Sequence, residues 1–164
     1  MLHHLTVKDR RWDGEFRTLR QLVAQNAFDK VVEAELHYDF ENPSWIKYLP
    51  VDYTSGAGML FGLGWCKSQV LAVQQLTVIP GSHTLDQALV LFGRPKSVTA
   101  FLRALRGVES DVDDTFTVIL QYDSPLLVTV KTSIVSCLQQ DLKYFIRGTG
   151  GSYIKVYTIF ISLG

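Results

Sequence analysis

Val32, Ala34, Leu36, Tyr38 and Phe40 alternate with Glu33, Glu35, His37 and Asp39. A period of two sends these sets to opposite faces, predicting a half-buried strand from Lys30 to Phe40 with one wet face. Upstream the period is helical. Phe16, Leu19, Leu22 and Val23 fall on one face, Arg17 and Arg20 lie toward the other, and Asp13 is placed to cap, which predicts a helix over residues 13–26. Residues 41–58 hold Pro43 and Pro50 and end in Ser55-Gly56-Ala57-Gly58, the chemistry of a loop. Trp45, Tyr48 and Tyr53 within it either pin the loop to the body or cover a ligand, and pinning is the more ordinary role.

A helix is expected from Thr84 to Phe92, stopped by Gly93 and Pro95. Four strand-like runs follow: Ser97 to Leu105, Thr115 to Tyr122, Leu126 to Ser136, and Leu142 to Arg147. Their short polar connections exclude parallel crossovers and predict an antiparallel meander. Gly148 to Gly151 would turn the chain into one more strand, Ser152 to Lys155. The class is α+β, a largely antiparallel open β-sheet with helices on one face. Val128, Val130 and Ile134 share one side, with Thr129 and Lys131 on the other.

Sixteen basic and sixteen acidic side chains cancel in a chain of 164 residues that is 47% hydrophobic. That composition fits one globular domain and argues against a nucleic-acid surface, which needs a basic stripe. No apolar run approaches the roughly 20 residues that span a bilayer. The start, Met1-Leu2-His3-His4-Leu5, lacks the features of a signal peptide, so a cytoplasmic location is expected. Cys66 and Cys137 are lone thiols without metal spacing.

Few motifs carry chemistry. Gly56-Ala57-Gly58-Met59-Leu60-Phe61 opens like a dinucleotide fingerprint, but Phe61 takes the third glycine position and no strand precedes it. His83 and Asp86 stand at i and i+3 near the start of the expected helix, where a carboxylate can fix an imidazole for proton transfer. A partner-satisfied surface histidine is the plainer reading of that spacing alone. His37 near Asp39 is weaker still, and a metal-dependent hydrolase built on His37, Asp39 and His83 has too few ligands to stand. Arg10-Arg11-Trp12-Asp13 packs charge beside an aromatic at a helix start.

Taken in order, these segments resemble one family. Arg10-Arg11-Trp12-Asp13 with Phe16 and Leu19, Val31-Val32-Glu33-Ala34-Glu35, Gly56-Ala57-Gly58-Met59-Leu60, Ser82-His83-Thr84-Leu85-Asp86-Gln87-Ala88, Phe92-Gly93-Arg94-Pro95 and Phe145-Ile146-Arg147-Gly148 carry the likeness. They are similar to the second domain of the glucose–fructose oxidoreductase / inositol dehydrogenase / MocA (Gfo/Idh/MocA) oxidoreductases. The resemblance implies a substrate domain that normally follows a Rossmann domain binding NAD or NADP, with hydride passing between nicotinamide and a sugar or polyol carbon. It implies His83 as a catalytic residue, beside which Asp86 is the near carboxylate that the spacing offers, with Arg11 and Trp12 as candidate substrate contacts, no metal, and a homo-oligomer formed through the sheet face. The Glu-Lys-Pro motif of the family's first domain is missing from this sequence, so no cofactor is expected to bind to this chain, and activity of the chain by itself is not expected. The alternative is a non-catalytic binding or oligomerisation module.

Two departures stand out. Family members usually carry an aspartate four positions before the histidine, and the matching residue here is Gly62 once an interruption is removed. That interruption, residues 65–81, separates Gly62-Leu63-Gly64 from Ser82-His83. The expected organisation is a non-family stub over 1–8, the family domain over 9–155 with the insertion at 65–81, and a non-family tail over 156–164. The insertion and tail read as translated intron, since Leu76-Thr77 and Pro80-Gly81 can be encoded by branch-point-like and acceptor-like sequences and Val156-Tyr157 by a donor-like one; the plainer alternative is a genuine loop insertion, which surface loops tolerate cheaply.

Overall fold

The computed structural model describes residues 9–41, 43–53, 57–60, 80–136 and 140–158. A short 3-10 helix, η1 (Asp9–Trp12), leads into α1 (Gly14–Ala24). Strand β1 (Val31–His37) and a second 3-10 helix, η2 (Ser44–Tyr48), come next. Helix α2 (Pro80–Phe92) precedes β2 (Ser97–Arg103), β3 (Thr115–Gln121), β4 (Leu127–Thr132), β5 (Gln140–Gly148) and β6 (Ser152–Thr158). The six strands form one sheet in the order β2-β3-β4-β1-β5-β6. The class is α+β, and the sheet is mostly antiparallel.

The meander is only half of what the connections suggested. β2, β3 and β4 do run antiparallel in sequence order. β4 and β5, however, are not neighbours. β1 lies between them, parallel to β4 through Ala34–Val128 and Leu36–Val130, and antiparallel to β5 through Ala34–Ile146 and Leu36–Tyr144. Ala34 and Leu36 are fully buried, so β1 belongs in the middle of the sheet. Stepping over one strand spans only about 10 Å, well within reach of a short link.

Helices cover one face. Phe16 and Leu19 of α1 and Ala88 of α2 are fully buried in a core that includes Leu36, Val118, Leu120, Val128, Val130, Tyr144 and Ile146. Val128, Val130 and Ile134 are therefore core residues, so they do not form the apolar surface of the open face. By register that open face carries Glu33, Glu35 and His37 beside Leu127, Thr129 and Lys131, as the alternation of β1 required.

Element ends differ in instructive ways. α1 starts at Gly14, but Asp13 makes no side-chain cap. Its carboxylate instead faces Arg10 at 3.5 Å and Lys143 at 3.9 Å. α2 ends where expected, with Gly93 at φ +77° and its N–H bonded to the carbonyl of Leu89. It begins earlier, at Pro80, so Pro80 and Gly81 of the expected insertion lie in the helix. The rest of the insertion falls outside the described residues, as do the stub over 1–8, Gly62, Cys66 and Cys137.

β6 runs past Lys155, pairing Val156 with Leu142 and Tyr157 with Asp141. The β5–β6 hairpin presses Gly148 so close to the backbone of Phe28 that a Cβ there would sit 2.1 Å from its carbonyl oxygen. In the loop after β1, Ile46 is buried and Trp45 packs edge-on to Phe40, while Tyr48 and Tyr53 stay exposed. The aromatics thus pin the loop only in part. No helix among the described residues is long and apolar enough to cross a membrane.

Candidate functional site

Helix α2 packs on β4, β1, α1 and η1, yet its first half buries four polar side chains. His83, Thr84, Asp86 and Gln87 are all no more than 6% exposed. Buried polar groups require partners, because stripping them of water costs energy that only a hydrogen bond returns. Arg11 of η1 supplies a fork to Asp86, with Nε donating to Oδ2 at 2.5 Å and Nη2 to Oδ1 at 2.6 Å. Gln87 donates from Nε2 to the carbonyl of Arg10 at 3.0 Å. Its Oε1 accepts the hydroxyl of Tyr144 at 3.1 Å. Adjacent residues of α2 thereby tie the helix to η1 and to the sheet floor.

Beneath η1 lies a second layer. Arg10 donates to the hydroxyl of Tyr38 at 2.9 Å. A bulge in β5 between Leu142 and Tyr144 accompanies Lys143, which is 4% exposed. Its ammonium binds Glu15 and lies 4.3 Å from the ring centre of Tyr157. Burial would lower the pKa of Lys143, but hydrogen bonds to Glu15 and Tyr157 outweigh it and hold it above its ordinary value. For Glu15 burial pushes upward, and Lys143 and Lys155 together bring the carboxyl below its ordinary value. Burial raises the hydroxyls of Tyr38 and Tyr144, so both stay neutral at physiological pH.

The sequence-derived candidates divide accordingly. His83, Asp86 and Arg11 belong to one cluster at the η1–α2 contact, and Trp12 stands beside it with its ring 72% exposed. His37 lies elsewhere. It sits on the open face with Glu35 at 2.8 Å and Asp39 at 3.3 Å, while His83 belongs to the helix layer across the sheet. Among the described residues no three His, Cys, Asp or Glu side chains gather in a way that could hold a metal.

The turn at Gly58 is closed to a phosphate. The carboxylate of Asp113 occupies the place of a Gly58 Cβ, 1.9 Å from it, and accepts the N–H of Leu60 at 3.0 Å. An anion cannot share that cradle. Sequence reasoning missed Gln87, Lys143 and Tyr144. Tyr144 and Ile146 do alternate on the covered face, a readable signal, but the bulge at Lys143 has none.

Known proteins share this fold. Residues 77–154 match the model of the GFO/IDH/MocA C-terminal domain. Over those residues, just under half of the chain, the sequence is similar to that family's domain. It is 35% identical over 159 residues to the uncharacterized oxidoreductase C115.03 of Schizosaccharomyces pombe, covering 90% of this chain and 37% of that protein. It is 28% identical over 147 residues to the scyllo-inositol 2-dehydrogenase (NADP(+)) IolW of Bacillus subtilis, covering 36% of it. The crystal structure of an oxidoreductase from Bacillus cereus superposes with a TM-score of 0.70 at 30% identity, over 90% of this chain and 42% of that one. The chain therefore spans well under half the length of these relatives. The matched stretch includes the buried polar half of α2.

Proposed function

We propose that this Gfo/Idh/MocA domain is the substrate side of a NAD(P)-dependent oxidoreductase acting on a sugar or polyol hydroxyl. The observation that carries the reading is the buried His83, one helical turn from an Asp86 held by Arg11. A desolvated imidazole at a fixed position suits proton exchange with a substrate hydroxyl. In this reading the hydroxyl proton moves to a ring nitrogen of His83 as the alcohol is oxidised, and returns in the reverse direction. Trp12 offers an exposed aromatic face for the C–H side of a sugar ring, and Arg11, 44% exposed, is reachable by a substrate hydroxyl while it holds Asp86.

The described residues do not fit the dinucleotide itself. They contain no glycine-rich turn between a strand and a helix, and Asp113 blocks the Gly58 turn. NAD or NADP is held outside this domain in the proposed full-length enzyme. The alternative, a non-catalytic oligomerisation module, draws on the open sheet face, and a homo-oligomer formed there is compatible with either reading.

The test is a chimera in which this domain replaces its counterpart in the Schizosaccharomyces pombe relative. His83→Ala should lower turnover about 10²–10⁴-fold, the usual contribution of a general acid or base. His37→Ala should leave turnover within about twofold, because its side chain lies across the sheet. Parental turnover by the His83 variant would overturn the reading. The chain by itself should show no saturable binding in a nicotinamide fluorescence titration.

A further inference from the structure

We propose that Arg11 is a positioning residue that sets the protonation of His83 through Asp86, coupling η1 electrostatically to the acid/base helix. The proposal rests on the reading of His83 given above and deepens it. Asp86 is 5% exposed and His83 6%, and on a helix their i,i+3 spacing places the side chains as neighbours about 5–6 Å apart at Cβ. A buried carboxylate that close stabilises an imidazolium. Arg11 opposes this. Its two-point grip at 2.5 and 2.6 Å neutralises the carboxylate, and a planar guanidinium fork does so in one fixed geometry. The carboxylate in turn raises the pKa of Arg11, first through the hydrogen bond and then through charge, so the arginine keeps its proton throughout.

The backbone makes the grip rigid. Gln87, the residue after Asp86, holds the carbonyl of Arg10, the residue before Arg11, at 3.0 Å. The two segments are thus joined twice, side by side. The described elements packed against α2 bring these charges. Of them, η1 carries Asp9, Arg10 and Arg11, and α1 carries Arg17, Arg20 and Glu15, the last paired with Lys143, while Asp13 between them faces Arg10 and Lys143. β1 presents Ala34 and Leu36, with Tyr38 just beyond, and β4 presents Val128, Val130 and Thr132, none of them charged. Across the floor Tyr144 is neutral. Asp86 and Arg11 are the charged pair that the helix spacing and the guanidinium fork set beside His83.

The test follows the imidazole of His83 by nitrogen NMR in the intact chain across pH, its signal assigned among the four histidines with His83→Gln. Arg11→Ala should raise the titration midpoint by about one unit, since the carboxylate loses its counter-charge. Asp86→Asn should lower it by a similar amount, since the imidazolium loses its anion and keeps a nearby cation. Arg11→Lys restores the charge without the fork and should bring the midpoint back toward wild type. Simple loosening of α2 would move both alanine and asparagine variants upward through added solvent. Shifts in the same direction, unchanged midpoints, or an Arg11→Lys variant that behaves like Arg11→Ala would overturn the proposal. If Asp86→Asn does not fold, the Arg11→Ala and Arg11→Lys pair still decides it. Because the readout is a titration, it stands or falls separately from turnover in the chimera.

Discussion

The two faces of β1 solve opposite problems with one strand. On the covered face Ala34 and Leu36 are fully buried beneath the helices, and their cross-strand partners Val128, Val130, Tyr144 and Ile146 are buried with them. On the open face Glu33, Glu35 and His37 stand among partners that reach sideways, Arg147 at 2.8 Å and Lys131 at 2.9 Å. Charge on the open face is cheap because water remains beside it. Charge at the margin of the covered face is not. There each buried polar group, Asp86, Gln87 or Lys143, is locked to a specific partner. The buried imidazole of His83 sits on that side, and its polar scaffolding is what removing a partner would endanger.

The largest expected contrast is in packing. Leu36→Ala should cost about 2–5 kcal/mol in chemical denaturation, because it empties a fully buried position. Ile154→Ala, on the open face of edge strand β6 and 63% exposed, should cost less than about 0.5 kcal/mol. Equal losses would show that the open face is itself covered, as it would be in a homo-oligomer, and light scattering on the same samples would identify that case.

A second contrast sets one lysine against another. Lys143→Met removes a buried cation from Glu15, whereas Lys131→Ala removes a half-exposed one from Glu35. Losing one partner of a fully buried pair costs about 3–5 kcal/mol. Glu15 is a third exposed and keeps Lys155 at 3.3 Å, so about 1–3 kcal/mol is the expectation for Lys143→Met. Lys131→Ala should fall within about 0–1 kcal/mol. A Lys143 variant as stable as wild type would mean that the methionine packs against Tyr157 as well as the ammonium does.

How much of this was legible in sequence depends on range. Local periodicity exposed β1, α1, the stop of α2 at Gly93 and the β5–β6 turn, because each is set by residues within a few positions. The insertion of β1 between β4 and β5 was not legible, since the alternation of Ala34 and Leu36 says which face is buried and nothing about the neighbour. The start of α2 at Pro80 carried a readable sign, as proline suits a first helical position. The resemblance assigned Pro80 to the insertion instead. In the candidate site, His83 and Asp86 could be paired from spacing, and Arg11 was singled out as a substrate contact. That its fork closes on Asp86, 75 positions away, is a fact of tertiary structure. Lys143 was invisible because a bulge breaks the alternation that would have placed it on a face.

The smallest contrast concerns acid. In Glu15 and in Glu35 burial pushes the carboxyl upward, and lysine contacts, joined by His37 at Glu35, outweigh it, so both sit below the ordinary value of 4.5 in the folded protein. A carboxyl depressed by folding contributes stability above its unfolded pKa and loses it as pH falls through its folded one. Stability should therefore decline on acidification below about pH 4.5, and Glu15→Gln and Glu35→Gln should each flatten that decline. Each effect should stay under about 1 kcal/mol, since both groups are partly solvated. Salt separates them. At 1 M the screening length is about 3 Å, which weakens the open-face contact of Glu35 with the half-exposed Lys131 more than that of Glu15 with the buried Lys143. In high salt Glu35→Gln should therefore become silent while Glu15→Gln still flattens the acid limb. Two variants that fade together would mean that Lys143 is as well hydrated as Lys131, and that the two faces differ less in dielectric than in hydrophobic packing.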